Sequence, residues 1–301
     1  MTEQRWFHRR GALARDGWES VVDSGLTGWQ HTGLRVAELH GTDVLPLDEE
    51  GVERIIVPLH GSFTVTHANH PGGGETLLHG RRSVFHGPTD ALYLPSGATA
   101  EVRGDGRVAV AEAPNAETRS WRYLPAADTA VELRGAGRSS RQVHNFGTPE
   151  ALDADRLIVC EVITPAGNWS SYPPHKHDES VPGQESRLEE IYYFEAAPER
   201  RADSPEPGAA FGLFSAYSSP AGEIDVNTMV RTGDIALVPY GYHGPAVAAP
   251  GYDLYYLNVM AGPDADRAWL ITDDPEHAWV RGSWDAQEPD SRLPYRDEAG
   301  G

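Results

Sequence analysis

Residues 234–243 read Asp234-Ile235-Ala236-Leu237-Val238-Pro239-Tyr240-Gly241-Tyr242-His243, and residues 90–99 read Asp90-Ala91-Leu92-Tyr93-Leu94-Pro95-Ser96-Gly97-Ala98-Thr99. In both stretches an acid opens a short apolar strand, a proline closes it, and a Pro-x-Gly-x turn presents the next side chain. Each stretch follows another strand-like segment, residues 52–57 in the first copy and residues 188–193 in the second. An internal duplication of this kind predicts two tandem β-barrels.

The rest of the chain also reads as all-β. Its 32 glycines and 23 prolines separate short segments rich in β-branched and aromatic residues. We predict an N-terminal barrel in residues 1–150, a C-terminal barrel in residues 151–285, and a loosely ordered tail in residues 286–301 that Pro294 and Tyr295 could dock. Residues 198–208 are polar and predict a surface loop. The predicted strands cover residues 52–59, 62–66, 91–94, 108–113, 157–164, 190–194, 211–217, 234–238 and 252–260.

Charge and composition exclude several classes of function. Acidic residues number 45 against 25 basic ones, and such a surface repels nucleic acid and anionic lipid. No apolar run is long enough for a bilayer and no secretory signal is recognisable, so we expect no nucleic-acid or membrane partner and a cytoplasmic location. The single cysteine, Cys160, lies in an apolar run, which indicates a buried thiol rather than a nucleophile.

Four side chains of the second copy could bind one metal ion. His175 and His177 are two residues apart, so on an extended strand both imidazoles project from the same face. Glu190 opens an aromatic strand, and His243 follows the glycine-containing turn. Three imidazoles and one carboxylate suit a single divalent transition metal, with zinc or manganese first and iron, cobalt or nickel as further candidates. Glu189 is an alternative to Glu190 as the carboxylate ligand, and strand alternation alone does not show which of the two faces the metal.

The first copy lacks this set of ligands. At the positions of the carboxylate and of the last histidine it has Arg54 and Thr99. We therefore expect the N-terminal barrel to be metal-free and structural, packing against the second barrel or forming an oligomer. His67 and His70 could imitate a ligand pair, but no acid follows at a useful spacing, and we expect both at the surface.

These residues resemble the cupin superfamily, whose motifs carry His-x-His with a glutamate and then Pro-x-Gly before a histidine. The gap from His177 to Glu190 is longer than is usual for cupins, and the step from Gly241 to His243 is one residue shorter. Both departures are features of the 5-deoxy-glucuronate isomerase family and of the related 5-keto-4-deoxyuronate isomerases, the first being the closer match. One departure from that family is Gly244, which stands between His243 and Pro245, where we would expect the proline to follow the histidine directly. The matching stretches are residues 167–178, 189–194, 238–243 and 250–263.

The resemblance implies a bicupin fold and assigns the metal ligands to His175, His177, Glu190 and His243, which favours Glu190 over its neighbour. It also implies an aldose–ketose isomerisation, from 5-deoxy-D-glucuronate to 5-dehydro-2-deoxy-D-gluconate in myo-inositol catabolism. The metal would act as a Lewis acid toward an enediolate. The general base stays open among metal-bound hydroxide, histidine, glutamate and tyrosinate.

Other side chains could contact a small deoxyuronate substrate. Tyr192 and Tyr242 could donate hydrogen bonds to its oxygens. Arg141 could bind its carboxylate, because the planar guanidinium fits that group. Exposed sheet edges make a homo-oligomer possible. Further candidates are Tyr255, His144, Arg231 and Lys176, the last expected to face away from the metal, with Asp253 and Asn258 as supports for the ligating imidazoles.

Three alternatives stay open at this stage. The nearest is 5-keto-4-deoxyuronate isomerisation, which differs only in the substrate. A metal-dependent cupin dioxygenase would use the same ligands to bind iron and activate oxygen. A non-catalytic sugar-binding cupin would keep the site without turnover.

Overall fold

The structure, a computed structural model, describes residues 5–115, 117–199 and 207–296. Within these ranges strands dominate, as predicted, and the only α-helix has four residues. The strands of the first half are β1 (Phe7–His8), β2 (Ser20–Val22), β3 (Gly33–Leu39), β4 (Val44–Leu47), β5 (Val52–Ala68), β6 (Gly74–Arg81), β7 (Ala91–Leu94), β8 (Thr99–Pro114), β9 (Arg122–Leu124), β10 (Ala130–Arg134) and β11 (Arg141–Gly147).

The second half continues the same pattern of short strands, and short 3-10 turns connect several elements along the chain. The strands are β12 (Ile158–Thr164), β13 (Trp169–Ser170), β14 (His175–Lys176), β15 (Asp178–Val181), β16 (Glu185–Arg187), β17 (Glu189–Pro198), β18 (Gly212–Ser219), β19 (Gly222–Val230), β20 (Ile235–Val238), β21 (Tyr242–Ala248), β22 (Tyr252–Ala261) and β23 (Thr272–Asp273), followed by helix α1 (Val280–Ser283). The 3-10 turns are Val84–His86, Ala126–Asp128, Gly137–Ser139, Pro207–Ala209 and Trp284–Ala286.

The strands form two barrel-like assemblies. The first is an eight-stranded sheet in the order β2-β3-β8-β5-β7-β9, with β4 added to β8 and β6 added to β5. The second combines a seven-stranded sheet, β1-β20-β17-β22-β12-β11-β10, with a six-stranded sheet, β19-β18-β21-β14-β23, in which β13 also joins β21. Strands β10 and β11 belong to the second assembly because β11 pairs with β12, and so does β1, which pairs with β20.

The strand register displays the duplication. Arg54 on β5 pairs with Leu94 on β7, and Glu190 on β17 pairs with Val238 on β20. In both copies the partner is the residue just before the proline that closes the strand. Arg54 and Glu190 therefore occupy equivalent positions, as the sequence comparison predicts.

Alternation along β5 and β17 directs one face of each strand into its own barrel and the other toward the opposite half. Ile56 belongs to a core built from residues of the first half, whereas Ile55 belongs to a larger core that contains residues of both halves. On β17, Ile191 joins this shared core. The two assemblies thus pack face to face.

Two buried carboxylates connect the halves at equivalent positions. Glu53, the residue before Arg54, accepts backbone N–H groups from residues 155–157 at 2.6–2.9 Å. Glu189, the residue before Glu190, accepts N–H groups from Gln30 and His31 at distances between 2.6 and 3.1 Å. Each copy therefore uses the same strand position to bind the backbone of a segment outside its own repeat.

Several elements differ from the predictions. Residues 52–59 and 62–66 form one strand, β5, with an irregularity between Pro58 and His60. The tail docks at Tyr295, as the sequence allowed: this residue is buried and its hydroxyl donates to Asp253 at 3.0 Å. Most of the loop predicted at residues 198–208, and the end of the tail at residues 297–301, lie outside the described residues.

Two further expectations concern single features. Cys160 is fully buried, and burial raises the pKa of its thiol, which confirms a core position. His67 is also buried, contrary to expectation, because its Nε2 atom bonds Thr76 and its ring stacks on His70. Across the described ranges, no helix is both long enough and apolar enough to traverse a bilayer.

Candidate metal centre and adjoining cavity

Three imidazoles converge inside the second barrel. His175 on β14 lies directly opposite His243 on β21, and their ring centroids are 4.5 Å apart. The ring of His177 lies 4.7 Å from that of His243. One ring nitrogen from each histidine lies within 4.8 Å of the other two.

A carboxylate from the other sheet completes the group. The Oε2 atom of Glu190, on β17, lies 2.8 Å from His177 Nε2 and 3.0 Å from His243 Nε2. Glu190 and both of these histidines are buried. The cluster therefore joins the seven-stranded and six-stranded sheets at a point where all four side chains face inward.

The backbone fixes how each imidazole is oriented. The Nδ1 atom of every histidine in the cluster lies near a backbone carbonyl oxygen, which can only accept a hydrogen bond, so Nδ1 carries the proton. The Nε2 atoms then face the centre, as they do in histidines that bind metals. The acceptors are the carbonyl oxygens of Pro173, Leu188 and Gly241, at 3.3, 3.2 and 3.2 Å.

Electrostatics favour a neutral His175 and an ionised Glu190. Burial and the neighbouring imidazoles lower the pKa of His175 well below its ordinary value, so it is neutral. Burial alone would raise the pKa of Glu190, but the hydrogen bond from His177 and the nearby ring of His243 outweigh burial and lower it. Burial alone would lower the pKa of His177, but the hydrogen bond and the charge of the ionised Glu190 outweigh burial and raise it.

One atom of the cluster indicates that the residues fit a metal ion. The Nε2 atom of His243 is buried, yet it makes no hydrogen bond of acceptable geometry, although Glu190 lies 3.0 Å away. A buried polar atom without a partner is costly. A divalent cation at the centre would satisfy this lone pair, and three nitrogens with one oxygen are ligands that borderline transition metals accept.

A buried lysine holds the segment that carries two of the histidines. The Nζ atom of Lys176 lies 2.7 Å from Asp178 and 2.8 Å from Glu185, away from the imidazoles, as expected from alternation. Asp178 also accepts the N–H of Gly241 at 2.8 Å, which fixes the turn leading to His243. This acidic group is therefore already occupied by an ammonium.

The unusual Gly244 has a steric reason. Its φ is 94°, in the left-handed region that favours glycine. A β-carbon at this position would collide with the carbonyl oxygen of Ser171. The glycine thus lets β21 approach the segment that leads into the first ligand.

A cavity of about 230 Å³ adjoins His175 and Glu190. Apolar side chains from β11 and β12, Val143 and Val162, form part of its wall, together with Ile271 from the C-terminal segment. Its other polar side chains include Arg134, Arg141, Arg281, Tyr192, Tyr256 and Asn258.

Arg141 brings positive charge into this cavity without an acidic partner. It is buried and lies directly across from Arg134 on the neighbouring strand. Glu132 binds Arg134 at 2.8 and 3.0 Å, whereas no carboxylate of the described residues forms an ion pair with Arg141, which bonds the Ser139 carbonyl oxygen at 3.0 Å. Burial and the nearby Arg134 and Arg281 lower the pKa of Arg141 to about 10. It remains a cation at neutral pH.

The two tyrosines of the sequence prediction have different positions. Tyr192 lines the cavity, with its hydroxyl 3.0 Å from Ser171 Oγ, and burial raises its pKa well above the ordinary value. Tyr242 does not line it, because its neighbour His243 faces inward and side chains alternate along β21. The ring of Tyr242 instead stacks on Tyr217 at 5.6 Å. The structure thus brings Tyr192 and Arg141 to the cavity, but not Tyr242.

Of three further candidates, two lie outside the cavity and one lines it. His144 bonds Glu161 at 2.6 Å on the face of β11 opposite to Arg141 and Val143. Asp253, expected to orient an imidazole, instead accepts from the Ala166 N–H and from the tail. Asn258, expected in the same role, lines the cavity.

The C-terminal segment supplies cavity residues that sequence reasoning missed. Strand β23 pairs with β14, so the chain after β22 folds over the metal cluster. This places Trp269 and Arg281 at the cavity. No sequence motif predicts that Trp269 and Arg281 line the cavity, because their positions depend on the pairing of a two-residue strand.

The fold and the site together define a bicupin, a protein of two tandem cupin barrels with a histidine-rich cluster in one of them. The oxalate decarboxylase of Lactobacillus farciminis, solved as a formate complex, shares this fold with a TM-score of 0.59 and 10% identity, over 91% of this chain and 89% of that one. A second structure, a tryptophan-to-tyrosine variant of the Bacillus subtilis oxalate decarboxylase, gives a TM-score of 0.57 at 11% identity over 95% and 85% of the two chains. At these identities the likeness concerns the fold alone.

The chain belongs to the KduI/IolB family, which it matches over residues 6–280. It is 40% identical to the 5-deoxy-glucuronate isomerase of Geobacillus thermodenitrificans (strain NG80-2) over 259 residues, 85% of this chain and 88% of that protein. The 5-deoxy-glucuronate isomerase of Bacillus subtilis (strain 168) is 38% identical over 76% of this chain and 79% of its own. An IolB-like protein from Salmonella typhimurium LT2 superposes with a TM-score of 0.78 at 33% identity, over 91% and 98% of the two chains. The predicted family resemblance is confirmed.

Proposed function

We propose that this protein is a 5-deoxy-glucuronate isomerase, an enzyme that converts the aldose 5-deoxy-D-glucuronate to the ketose 5-dehydro-2-deoxy-D-gluconate in myo-inositol catabolism. One observation carries the proposal. The unpaired guanidinium of Arg141 and the cluster of three imidazoles and one carboxylate open into the same cavity of about 230 Å³. A short acid with an aldehyde at one end and a carboxylate at the other matches such a cavity. The 40% identity to curated isomerases supports the same reaction.

The cluster supports one bound divalent ion, for which we propose zinc or manganese. His175, His177, Glu190 and His243 would hold it, and when bound it supplies Lewis acidity for the substrate oxygens next to the reacting carbons. The side chains of the protein perform the other tasks of the reaction. They must hold the carboxylate, orient the hydroxyl groups and exclude water.

Arg141 binds the substrate carboxylate in this proposal. An anion between Arg141 and Arg134 would relieve the repulsion of two like charges on directly opposed strand positions. The hydroxyl of Tyr192 donates a hydrogen bond to a substrate oxygen. Because burial raises the pKa values of Tyr192 and of Tyr256, both stay protonated at neutral pH, and neither is suited to be the general base.

We also propose a cytoplasmic enzyme that assembles from identical copies. Strand β10 lies at one end of the seven-stranded sheet. Its side chains Val131 and Leu133 are exposed. An apolar strand edge of this kind favours pairing with another chain.

The proposal is tested by an isomerisation assay with 5-deoxy-glucuronate and with 5-keto-4-deoxyuronate, on metal-loaded and chelated protein, with and without oxygen. We expect metal-dependent turnover of the first substrate that persists without oxygen. Arg141→Met should lower kcat/KM about 100-fold, because a buried charge pair with the carboxylate is lost. Arg138→Met, on an exposed residue outside the cavity, should change kcat/KM less than about 2-fold.

Three results would contradict the proposal. Turnover that requires oxygen would indicate a dioxygenase. An absence of turnover with every first-row metal would indicate a binding protein. A strong preference for 5-keto-4-deoxyuronate would indicate that the protein catalyses the related isomerisation of that substrate instead.

A further inference from the structure

The cavity wall formed by the seven-stranded sheet has a definite order of polarity. Successive inward residues lie two apart along each strand, and the register aligns neighbouring strands into rows. The first row contains Glu190 and Met260, and the second contains Tyr192 and Asn258. From the metal ligand, the wall therefore passes first to an amide and a phenol.

Beyond Asn258 the wall contains two valines beside the phenol of Tyr256, and after them a guanidinium. The third row pairs Tyr256 with Val162 and Val162 with Val143. Arg141 follows, two residues before Val143 on the same face of β11. The order of groups along the wall is thus carboxylate ligand, amide with a phenol, two valines with a phenol, and guanidinium.

Asn258 has an unused hydrogen-bond donor at this wall. Its side chain is 3% exposed, and its Nδ2 atom is buried without a hydrogen-bond partner among the described residues. A buried donor of this kind costs free energy unless a ligand accepts from it. The two valines of the next row offer no polar atom to a ligand, while the Tyr256 hydroxyl in that row lies 3.3 Å from Ser171 Oγ.

An open-chain 5-deoxyuronate has the same order of groups. Its aldehyde and adjacent hydroxyl are followed by two more hydroxyls, then by a methylene, and then by the carboxylate. Resting on the proposed function, we infer that the wall binds this chain end to end, with Asn258 donating to a mid-chain hydroxyl, Val143 and Val162 covering the methylene next to the carboxylate, and Arg141 binding the carboxylate. The two valines then select for a methylene at that carbon.

This selection separates two related substrates. In a 5-keto-4-deoxyuronate the carbon next to the carboxylate is a carbonyl, and neither Val143 nor Val162 could donate a hydrogen bond to it in place of water. The amide of Asn258 would at the same time lose one of the hydroxyls it could bind. Val143 and Val162 are therefore specificity-determining residues.

The test uses two unreactive acids that differ only at the selected carbon. Gluconate has a hydroxyl next to its carboxylate, and 2-deoxygluconate has a methylene there. Dissociation constants are measured by calorimetry on the metal-loaded protein. We expect the wild type to bind 2-deoxygluconate about 10-fold more tightly than gluconate, a typical discrimination for an apolar contact.

Three variants make the result specific. Val162→Thr adds a hydroxyl to the wall and should reduce the preference to about 2-fold or less. Val159→Thr is the matched control, because it makes the same change on the same strand but on the face turned away from the cavity, and it should keep the preference of about 10-fold. Asn258→Leu should weaken both acids about equally, by roughly 10-fold, because their other hydroxyls are identical.

The outcomes distinguish this inference from the proposed function. Equal binding of the two acids by the wild type, no binding of either, or an unchanged preference in Val162→Thr would overturn the ordered wall. A change of the preference in Asn258→Leu would overturn the position given to the hydroxyls. If the expected preferences appear but 5-deoxy-glucuronate is not isomerised, the wall assignment stands and the proposed reaction fails.

Discussion

The two barrels share a strand register but differ at the equivalent position of their central strands. In the second barrel Glu190 faces three imidazoles. In the first barrel Arg54 is buried, and its Nε atom donates to Glu112 at 2.7 Å while Nη2 donates to the Glu49 carbonyl oxygen at 2.7 Å. The guanidinium is thus satisfied by protein atoms, whereas Glu190 belongs to a group with an unsatisfied member. One backbone can therefore carry either a closed ion pair or an open ligand set, depending on side chains alone.

The second pair of equivalent positions gives the same lesson. His243 is fully buried within the cluster. Thr99 is only partly buried, and its hydroxyl accepts a hydrogen bond from the exposed Asn69 at 3.1 Å. The turn that presents a ligand in one copy presents a surface contact in the other.

The largest expected difference follows from replacing these two residues. His243→Ala should lower kcat/KM by about 10³-fold, because the metal that stabilises developing charge loses a ligand. Thr99→Ala, at the equivalent position, should leave kcat/KM within about 2-fold and stability within about 0.5 kcal/mol. Steady-state kinetics and metal analysis of both purified variants provide the measurement. Full metal content in His243→Ala, or its loss in Thr99→Ala, would reverse the assignment of the two barrels.

A smaller effect, on stability alone, is expected at Arg54. Arg54→Met removes one partner of a buried pair and should lower the free energy of unfolding by about 3 kcal/mol, with kcat/KM of the folded protein unchanged. Arg103→Met is a suitable control, since its pair with Glu101 in the same barrel is about half exposed and should contribute less than about 1 kcal/mol. Urea unfolding measures both. Equal losses in the two variants would show that Arg54 has no special role.

The smallest effect concerns a charge pair between the barrels. Arg81 donates two hydrogen bonds to Glu161 at 2.6 and 2.7 Å, and His144 contacts the same carboxylate. Burial alone would raise the pKa of Glu161, but the charge and hydrogen bonds of Arg81, with those of His144, outweigh it and lower the pKa from 4.5 to about 2. A carboxyl whose pKa is lower in the folded state stabilises the fold above the unfolded pKa, and this stabilisation is lost as the pH falls toward about 2.

Unfolding measured between about pH 5 and pH 2 tests this pair. The free energy of unfolding of the wild type should fall across this window. Glu161→Gln should be less stable at pH 5, and its free energy of unfolding should depend less on pH, by an amount that corresponds to at most about one proton taken up on unfolding. Glu101→Gln, on the exposed pair, should leave this pH dependence almost unchanged. If the free energy of unfolding depended on pH equally in the wild type and in Glu161→Gln, Glu161 would not contribute to the loss of stability at low pH.

Much of the fold and the proposed ligand set could be predicted because both depend on local patterns. Alternation and the Pro-x-Gly turns predicted the duplicated strands, and spacing placed His175 and His177 on one face, whereas the family resemblance assigned Glu190 and His243 to the same site. The same alternation excludes Tyr242, the direct neighbour of an inward histidine, from the cavity. Arg134 and Trp269 could not be predicted, because their positions follow from the pairing of β10 with β11 and of β23 with β14, which are long-range choices that sequence spacing does not encode.

The carboxylates of Glu53 and Glu189 give the duplication a further meaning. Each is buried and receives its hydrogen bonds from backbone amides beyond its own repeat. A single copy produced alone would lose these backbone donors and would expose to water the apolar side chains that the shared core buries, which destabilises an isolated domain. We therefore expect that neither repeat folds stably without the other. They should unfold in one cooperative transition, and a change in the barrel without metal ligands can reach the catalytic barrel through the strand that carries Glu190.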